Sequence, residues 1–435
     1  MNVFYIIYLV ITSAAFIILS PFLFLYAVIG KRSLKGLNER LGWVSLKGKD
    51  YPEGAPNIWI HAASLGEVRV AETIIGELKR LLPASSITVS TMTEHGKRLA
   101  SEILGKDIRV IYSPLDIIFF VRMAIKRIKP DILVFLETEI WPAWISEAAR
   151  MGVKPVIVNG RISPGSFPRY MRLRPLFRYV LLRVEALSMI SEKDKERITD
   201  MGADPAKVIV SGNAKFDLLA ELADPSIEDE IRNLFRLDGK APVFIAGSTR
   251  NGEEEIIIEA YRNIIKEFPE TILFIAPRHI KRSGHIASLL EKNRLEYQFR
   301  SEFGKGSGIR ERQVVILDTF GELFRLYSAG TVIFCGGSLA PLGGQNPLEA
   351  AVWGRPVLYG PSMEHFLDAK AILEGNNAGI EVSTPEMLAE KVIMLFKDRP
   401  LREEYGSRAR EAVLKSSKAA KRHAEIVADI LSGTH

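Results

Sequence analysis

Residues 57–80, NIWIHAASLGEVRVAETIIGELKR, decide how this chain folds. Ile58, Trp59 and Ile60 make a short apolar run bounded by turn formers, the pattern of a buried strand. His61, Ala62 and Ala63 lead into a small-residue turn. Val68, Ala71, Ile75, Leu78 and Leu82 then recur at three- and four-residue steps until Pro83, which predicts an amphipathic helix. Glu67 therefore falls where the carboxyl end of a strand turns into the first turn of a helix. Open α/β sheets bind their ligands at that place. The same residues also spell a capping box, Ser64-x-x-Glu67, in which both side chains satisfy backbone amides. This stretch alone leaves base and cap both open.

Further along, short apolar runs keep alternating with amphipathic ones. Strands are expected at Ile58–Ile60, Ile87–Ser90, Arg109–Tyr112, Ile132–Leu136, Val156–Val158, Leu187–Ile190 and Val208–Val210, with helices such as Asp116–Ile128 and Ala143–Met151 between them. An acidic stretch with Pro225, Ala220–Lys240, reads as a linker plus one surface helix. Alternation resumes at Val243–Ala246, Ile272–Ala276, Val314–Leu317, Val332–Cys335 and Val357–Tyr359, and the tail from Pro400 to Leu431 is helical. The pattern predicts an α/β protein with two doubly wound, Rossmann-like domains facing across a cleft. The expected boundaries are 1–30 for an anchor, 31–220 for the first domain, and 221–435 for the second with its C-terminal helices. Residues Ser301–Arg312 form a polar loop, and no short repeat is present.

The 435 residues carry a net charge of +6, a modest excess that suits an anionic partner without pointing to nucleic acid. The single Cys335 excludes an internal disulfide framework and a cysteine-built zinc site, and fits a reducing compartment. From Asn2 to Gly30 there is no charged residue, a run long enough to cross a hydrocarbon core of about 30 Å as a helix. Basic residues follow it at Lys31, Arg32, Lys35 and Arg40. By the positive-inside rule they hold the rest of the chain on the cytoplasmic side.

Three polar loops follow strands in the first half. Glu137-Thr138-Glu139-Ile140-Trp141-Pro142 puts two carboxylates beside a Trp, which is costly to bury unpaired. Its plain alternative is acidic charge ahead of a helix that Pro142 opens. Asn159-Gly160-Arg161 is a polar turn with a cation. Gly212-Asn213-Ala214-Lys215-Phe216-Asp217 offers either a positive charge for a developing anion or a Lys215–Asp217 surface pair.

The second half has different loops. Pro277-Arg278-His279 presents a cation and amides at an expected helix start. Gly336-Gly337-Ser338 and Gly343-Gly344-Gln345-Asn346-Pro347-Leu348-Glu349 combine glycines with a Pro-opened helix, leaving amides for a phosphate and Glu349 for a ribose hydroxyl. The chain has no Walker loop, no dinucleotide fingerprint and no nucleophile elbow, and its seven His form no zincin motif. A basic, aromatic stretch from Phe167 to Arg183 reads either as a lipid-headgroup surface or as a helix with snorkelling arginines.

Taken together, His61-Ala-Ala-Ser-Leu-Gly-Glu67, Glu137-Thr-Glu-Ile-Trp-Pro142, Gly212-Asn-Ala-Lys-Phe-Asp217 and Asn346-Pro-Leu-Glu349 resemble the Kdo transferase family over essentially the whole chain. Those bacterial inner-membrane enzymes move 3-deoxy-D-manno-octulosonic acid (Kdo) from CMP-Kdo to lipid A precursor on a B-type glycosyltransferase (GT-B) fold. The resemblance implies inverting transfer with no metal or other cofactor, Glu67 as general base, and Glu137 and Lys215 as transition-state stabilisers. It also implies that Pro277, Arg278, Gly321, Glu322, Leu323, Asn346, Pro347, Leu348 and Glu349 hold CMP. The implied partners are CMP-Kdo, lipid A precursor and the anionic inner-membrane leaflet. Gln345, Ala350 and Ala143 depart from the family pattern, where His, Pro and Asn are expected. A UDP-sugar transferase and a membrane-tethered nucleotide-binding module are the competing readings.

Overall fold

The structure, a computed structural model, describes residues 2–29, 36–45, 54–303 and 308–433. Lys31, Arg32 and Lys35 of the basic follow-on lie outside these residues, as do residues 304–307 of the polar loop. The chain divides into two compact units, one of residues 1–217 with 418–435 and one of residues 218–417.

Unit 1 begins with helix α1 (Val3–Ile29). Its sheet contains β1 (Asn57–His61), β2 (Ser86–Thr91), β3 (Arg109–Tyr112), β4 (Ile132–Leu136), β5 (Lys154–Gly160), β6 (Ala186–Met189) and β7 (Val208–Val210). Their order is β3-β2-β1-β4-β5-β6-β7, and every pairing is parallel. The strand order reverses between β1 and β4, the switch point at which the two adjoining loops diverge and leave a crevice. Strand residues alternate between two cores. Trp59, Leu133, Phe135 and Ile157 face one, while Ile58, Ile60, Val134 and Val156 face the other. Such two-sided burial explains why these strands read as continuous apolar runs.

Helix α2 (Leu65–Leu81) lies on the second core through Val68, Ala71, Ile75 and Leu78. Leu78 is fully buried, and truncating it to Ala removes about 2–5 kcal/mol. Helix α3 (Pro142–Arg150) starts after the β4 loop, and helix α4 (Lys215–Leu222) starts after β7.

Unit 2 repeats the plan with β8 (Val243–Thr249), β9 (Ile272–Pro277), β10 (Tyr297–Phe299), β11 (Val314–Ile316), β12 (Val332–Cys335), β13 (Val357–Tyr359) and β14 (Gly379–Glu381). The order is β10-β11-β9-β8-β12-β13-β14, again parallel throughout. Helix α5 (Glu254–Glu267) follows β8. The expected linker, residues 220–240, carries its one surface helix, Ser226–Leu234, just after the end of α4.

The C-terminal tail corrects the sequence reading, which gave all of it to the second domain. Its last helix, α6 (Ala419–Ser432), packs in unit 1. Ala419, Ala420, Ala424, Val427 and Ile430 join the core beneath α2, because small side chains let the two helices approach closely. Asp217 fastens the junction by accepting the amides of Ala419 (3.2 Å) and Ala420 (2.7 Å) at the open start of that helix.

Candidate active site

Glu67 sits in the first turn of α2, and its cap is real. Ser64 Oγ accepts the Glu67 amide at 3.3 Å, and the Glu67 carboxylate takes the Ala63 amide (2.8 Å) and the Ser64 hydroxyl (2.8 Å). Unlike most helix caps, this carboxylate is 6% exposed. Burial pushes its pKa up to about 7. The neighbouring charges of Glu139 and, more weakly, Glu137 add to the rise, against the Ser64 and Ala63 hydrogen bonds. Capping and proton transfer are therefore compatible: the bonds fix where the carboxylate points, and burial sets it near neutrality.

The β4 loop stands beside β1 because those strands are neighbours at the switch point. Glu139 accepts Trp141 Nε1 at 2.5 Å and lies 3.7 Å from His61 Nε2. His61 is buried and packs against Trp144 with ring centroids 5.0 Å apart, while its Nδ1 meets Ser90 Oγ at 3.0 Å. An aromatic wall of Trp59, Trp141 and Trp144 thus lowers the local polarity around the carboxylates.

Glu137 has φ 55°, left-handed backbone that a non-glycine residue adopts at a cost of order 1–3 kcal/mol. The strained turn sends its carboxylate to Lys215 Nζ, 2.6 Å away. Lys215 is held from several sides. Asn159, also at positive φ, accepts the Ala214 amide at 2.9 Å, and Asn213 Oδ1 accepts the Lys215 amide at 3.1 Å.

Behind this loop, buried His423 of α6 contacts Ser188 (2.8 Å) and the Gly212 carbonyl (3.1 Å), and Ser188 meets Ser211 at 2.6 Å. Burial depresses the His423 pKa to about 4, so its neutral ring serves the network. The alternative Lys215–Asp217 pair gives way to two separate jobs: Lys215 pairs with Glu137, and Asp217 caps α6.

In unit 2 the expected nucleotide loops all leave the carboxyl edge of one parallel sheet, after β9, β11 and β12. Arg278 is exposed, and its charge opposes the upward, burial-driven pKa shift of Glu349, as does a hydrogen bond with Asn346. Arg278, Asn346 and Glu349 therefore form one cluster. Pro277 and Leu348 are buried beneath it, and Asn346 Oδ1 accepts the Leu348 amide at 3.1 Å. Gly321 turns at φ 82°, and Glu322 binds Arg300 at 2.7 Å, which tethers the β11 loop to the edge-strand connection.

Two expectations about free amides need correction. The Arg278 amide donates to the Thr249 carbonyl at 2.9 Å, and a 3-10 turn, Ile280–Arg282, precedes the next helix. The glycine-loop amides are also occupied. Buried Glu253, just before α5, accepts the amides of Gly337 (2.6 Å), Ser338 (2.8 Å), Leu339 (2.8 Å) and Arg250 (2.9 Å). A carboxylate at the sheet edge already fills this amide cradle, so it is a rigid platform and not an anion site. Gly336 is required beneath it, because a Cβ there would lie 2.8 Å from Thr249 Cα.

A family profile described as 3-deoxy-D-manno-octulosonic-acid transferase (kdotransferase) matches residues 35–218. The 3-deoxy-D-manno-octulosonic acid transferase of Haemophilus influenzae is 30% identical over 402 residues, covering 92% of each chain. The chain belongs to the Kdo transferase family. It is a glycosyltransferase with the GT-B type of fold. The Rickettsia felis transferase is 31% identical, over 78% of this chain and 71% of that one. A bifunctional glycosyltransferase/methyltransferase of Fusobacterium nucleatum is 33% identical over 88% of this chain, which spans 59% of that protein's length. Two solved structures share the fold. One is a glycosyltransferase from Rickettsia africae (17% identity, TM-score 0.61, 88% of this chain and 100% of that one). The other is a UDP-GlcNAc 2-epimerase from Neisseria meningitidis (16% identity, TM-score 0.62, 87% and 100%).

For the transferase, unit 1 gathers Glu67, Glu137, Glu139 and Lys215 around the carboxyl ends of its strands. Sequence reasoning missed Glu253 and His423, and it singled out the Asn159 turn without the role Asn159 has in holding the Lys215 loop. Glu253 had one available signal: it follows a strand, as Glu67 does, in a run of three glutamates that opens a helix with a buried face.

Proposed function

We propose that the enzyme transfers Kdo from CMP-Kdo to a hydroxyl of lipid A precursor (lipid IVA), in lipopolysaccharide core biosynthesis, with inversion and without a metal. Glu67 carries this reading: a buried carboxylate, pushed up to about 7, at the mouth of the β1–β4 switch point. Glu67 takes the acceptor hydroxyl proton as the new oxygen–carbon bond forms at the anomeric centre. The bond from that carbon to the phosphate oxygen breaks, and CMP leaves with the electron pair. A base with a pKa near the working pH suits this step and contributes typically ~10²–10⁴-fold.

Lys215, held by Glu137, supplies positive charge where the transition state gathers negative charge. Arg278, Asn346 and Glu349 suit the phosphate and ribose of CMP, with Gly321, Glu322 and Leu323 on the neighbouring loop. Pro347 and Leu348 set the turn that presents Asn346 and Glu349. The acceptor is assigned to unit 1 and the donor to unit 2. An amphiphilic acceptor also gives the apolar α1 a purpose, at the cytoplasmic face of the inner membrane.

The test is transfer in vitro to a tetra-acylated lipid A precursor, with CMP-Kdo and UDP-sugars compared as donors and products counted by mass. Kdo adducts formed from CMP-Kdo alone are expected. Transfer solely from UDP-sugars would sink the assignment.

A further inference from the structure

Arg250 lies outside the residues assigned to CMP, yet the fold sets it at the switch point of unit 2. Strand β8 runs between β9 and β12, and the loops after β8 and β12 diverge and leave a crevice. The end of β8 is shaped to turn this residue. Its pairing with β9 slips between Gly247 and Thr249, and the intervening Ser248 has φ 55°, left-handed backbone that a serine adopts under strain. A bulge of this kind re-aims the side chains that follow it. The Arg250 amide is then held by Glu253 at 2.9 Å, and its Nη1 reaches the β12 loop, donating to the Leu342 carbonyl at 3.3 Å.

Gln345 stands beside it. A Cβ on Gly337 (φ 70°) would lie 3.3 Å from both Arg250 Cδ and Gln345 Cγ, so the two side chains flank one glycine. The plain reading is an arginine that braces the loop. Bracing, however, uses one N–H of the guanidinium fork and leaves the rest. The side chain is half-buried, and among the described residues it has no carboxylate partner. Such a fork suits a planar anion with two oxygens.

The neighbouring strand indicates which anion. The Arg278 amide donates to the Thr249 carbonyl at 2.9 Å, so the two arginines leave adjacent strands from hydrogen-bonded peptide units. Arg278 is assigned to the phosphate of the donor. In CMP-Kdo the anomeric carbon that bears the phosphate oxygen also bears the sugar's carboxylate. A second cation beside the first therefore meets the second anion.

We propose that Arg250, with the Gln345 amide beside it, binds the carboxylate of the donor sugar. The fork takes both carboxylate oxygens, and the Gln345 side-chain N–H donates to one of them. The site thereby selects a 2-keto sugar acid over the aldose of a UDP-sugar, whose anomeric carbon bears a hydrogen instead. This inference rests on the donor of the proposed function and adds how that donor is chosen.

The test compares the full chain with two variants. Arg250→Gln keeps an N–H for Leu342 but no charge, and Arg250→Lys keeps the charge but loses the fork. CMP affinity is read by titration calorimetry, and kcat and KM by transfer from CMP-Kdo to a tetra-acylated lipid A precursor. The KM for CMP-Kdo is expected to rise ~10–100-fold in Arg250→Gln and less in Arg250→Lys. CMP affinity should stay as in the wild type in both. A mere loop brace or a phosphate ligand would weaken CMP and CMP-Kdo binding together, and that result overturns the inference. So does an unchanged KM in variants of a wild type that transfers Kdo. A wild type unable to use CMP-Kdo would overturn the proposed donor and this inference with it.

Discussion

The two units place a buried glutamate at matching points, the turn after the first strand of each sheet, and use it in opposite ways. Glu253 accepts four backbone amides and spends its whole acceptor capacity on holding the glycine loop. Glu67 receives one amide and one hydroxyl and stands near two further carboxylates. Donors that favour the charged form make a carboxylate a fixed structural anion. Burial with few donors and like charges nearby makes one a proton acceptor near neutrality. One topological position thus yields a clamp or a base, depending on how many amides are offered to it.

The comparison breaks most visibly at Glu67. Glu67→Gln keeps the capping hydrogen bonds and removes the base, so transfer is expected to fall ~10²–10⁴-fold. Circular dichroism and CMP binding should stay as in the wild type. Activity within a few-fold of wild type would leave Glu67 a cap like any other. Lys215→Met is expected to lower kcat by ~10²–10³-fold with a smaller change in KM, since it removes charge stabilisation from the transition state.

Glu253→Ala tests the other member of the pair. Four buried amides lose their acceptor together, and urea unfolding should show unit 2 destabilised by about 3–5 kcal/mol, with weaker CMP binding. A smaller, pH-dependent effect follows from His423. Its folded pKa, about 4, lies below its ordinary 6.5, so its contribution to stability is complete above pH 6.5. That contribution declines as pH falls from 6.5 towards 4, because the unfolded chain takes up the proton first. His423→Gln should flatten the dependence by about 1–3 kcal/mol, read from urea midpoints across that range.

Much of this was legible in the residues. The buried strands of both sheets announced themselves as apolar runs because parallel sheets are covered on two faces. The loops bearing Glu67, Glu137 and Lys215 stood out because polar residues directly after such runs fall at a sheet edge. Strands β10 and β14 did not stand out: each is a three-residue edge strand, and Tyr297, Gln298 and Phe299 are only half-buried. Placing α6 in unit 1 depends on Asp217, 203 positions before Ala420, and on an alanine-rich face meeting α2, which lies much further back in the chain. The Glu253 clamp was hidden for a related reason. Its partners are backbone amides, which leave no mark on side-chain identity beyond the glycines that make room.

The pH dependence of single-turnover Kdo transfer tests the central claim most directly. Glu67 must be ionised to accept the hydroxyl proton, and its folded pKa lies above the ordinary 4.5 at about 7. The wild-type rate should therefore rise with pH through an inflection near 7 and level off above it, and the inflection should vanish in Glu67→Gln. The same shift predicts that unfolding free energy falls between pH 4.5 and 7, because the unfolded chain gives up this proton while the buried carboxyl still holds it. A wild-type rate that stays flat down to pH 5, or an inflection near 7 that survives in Glu67→Gln, would contradict the assignment.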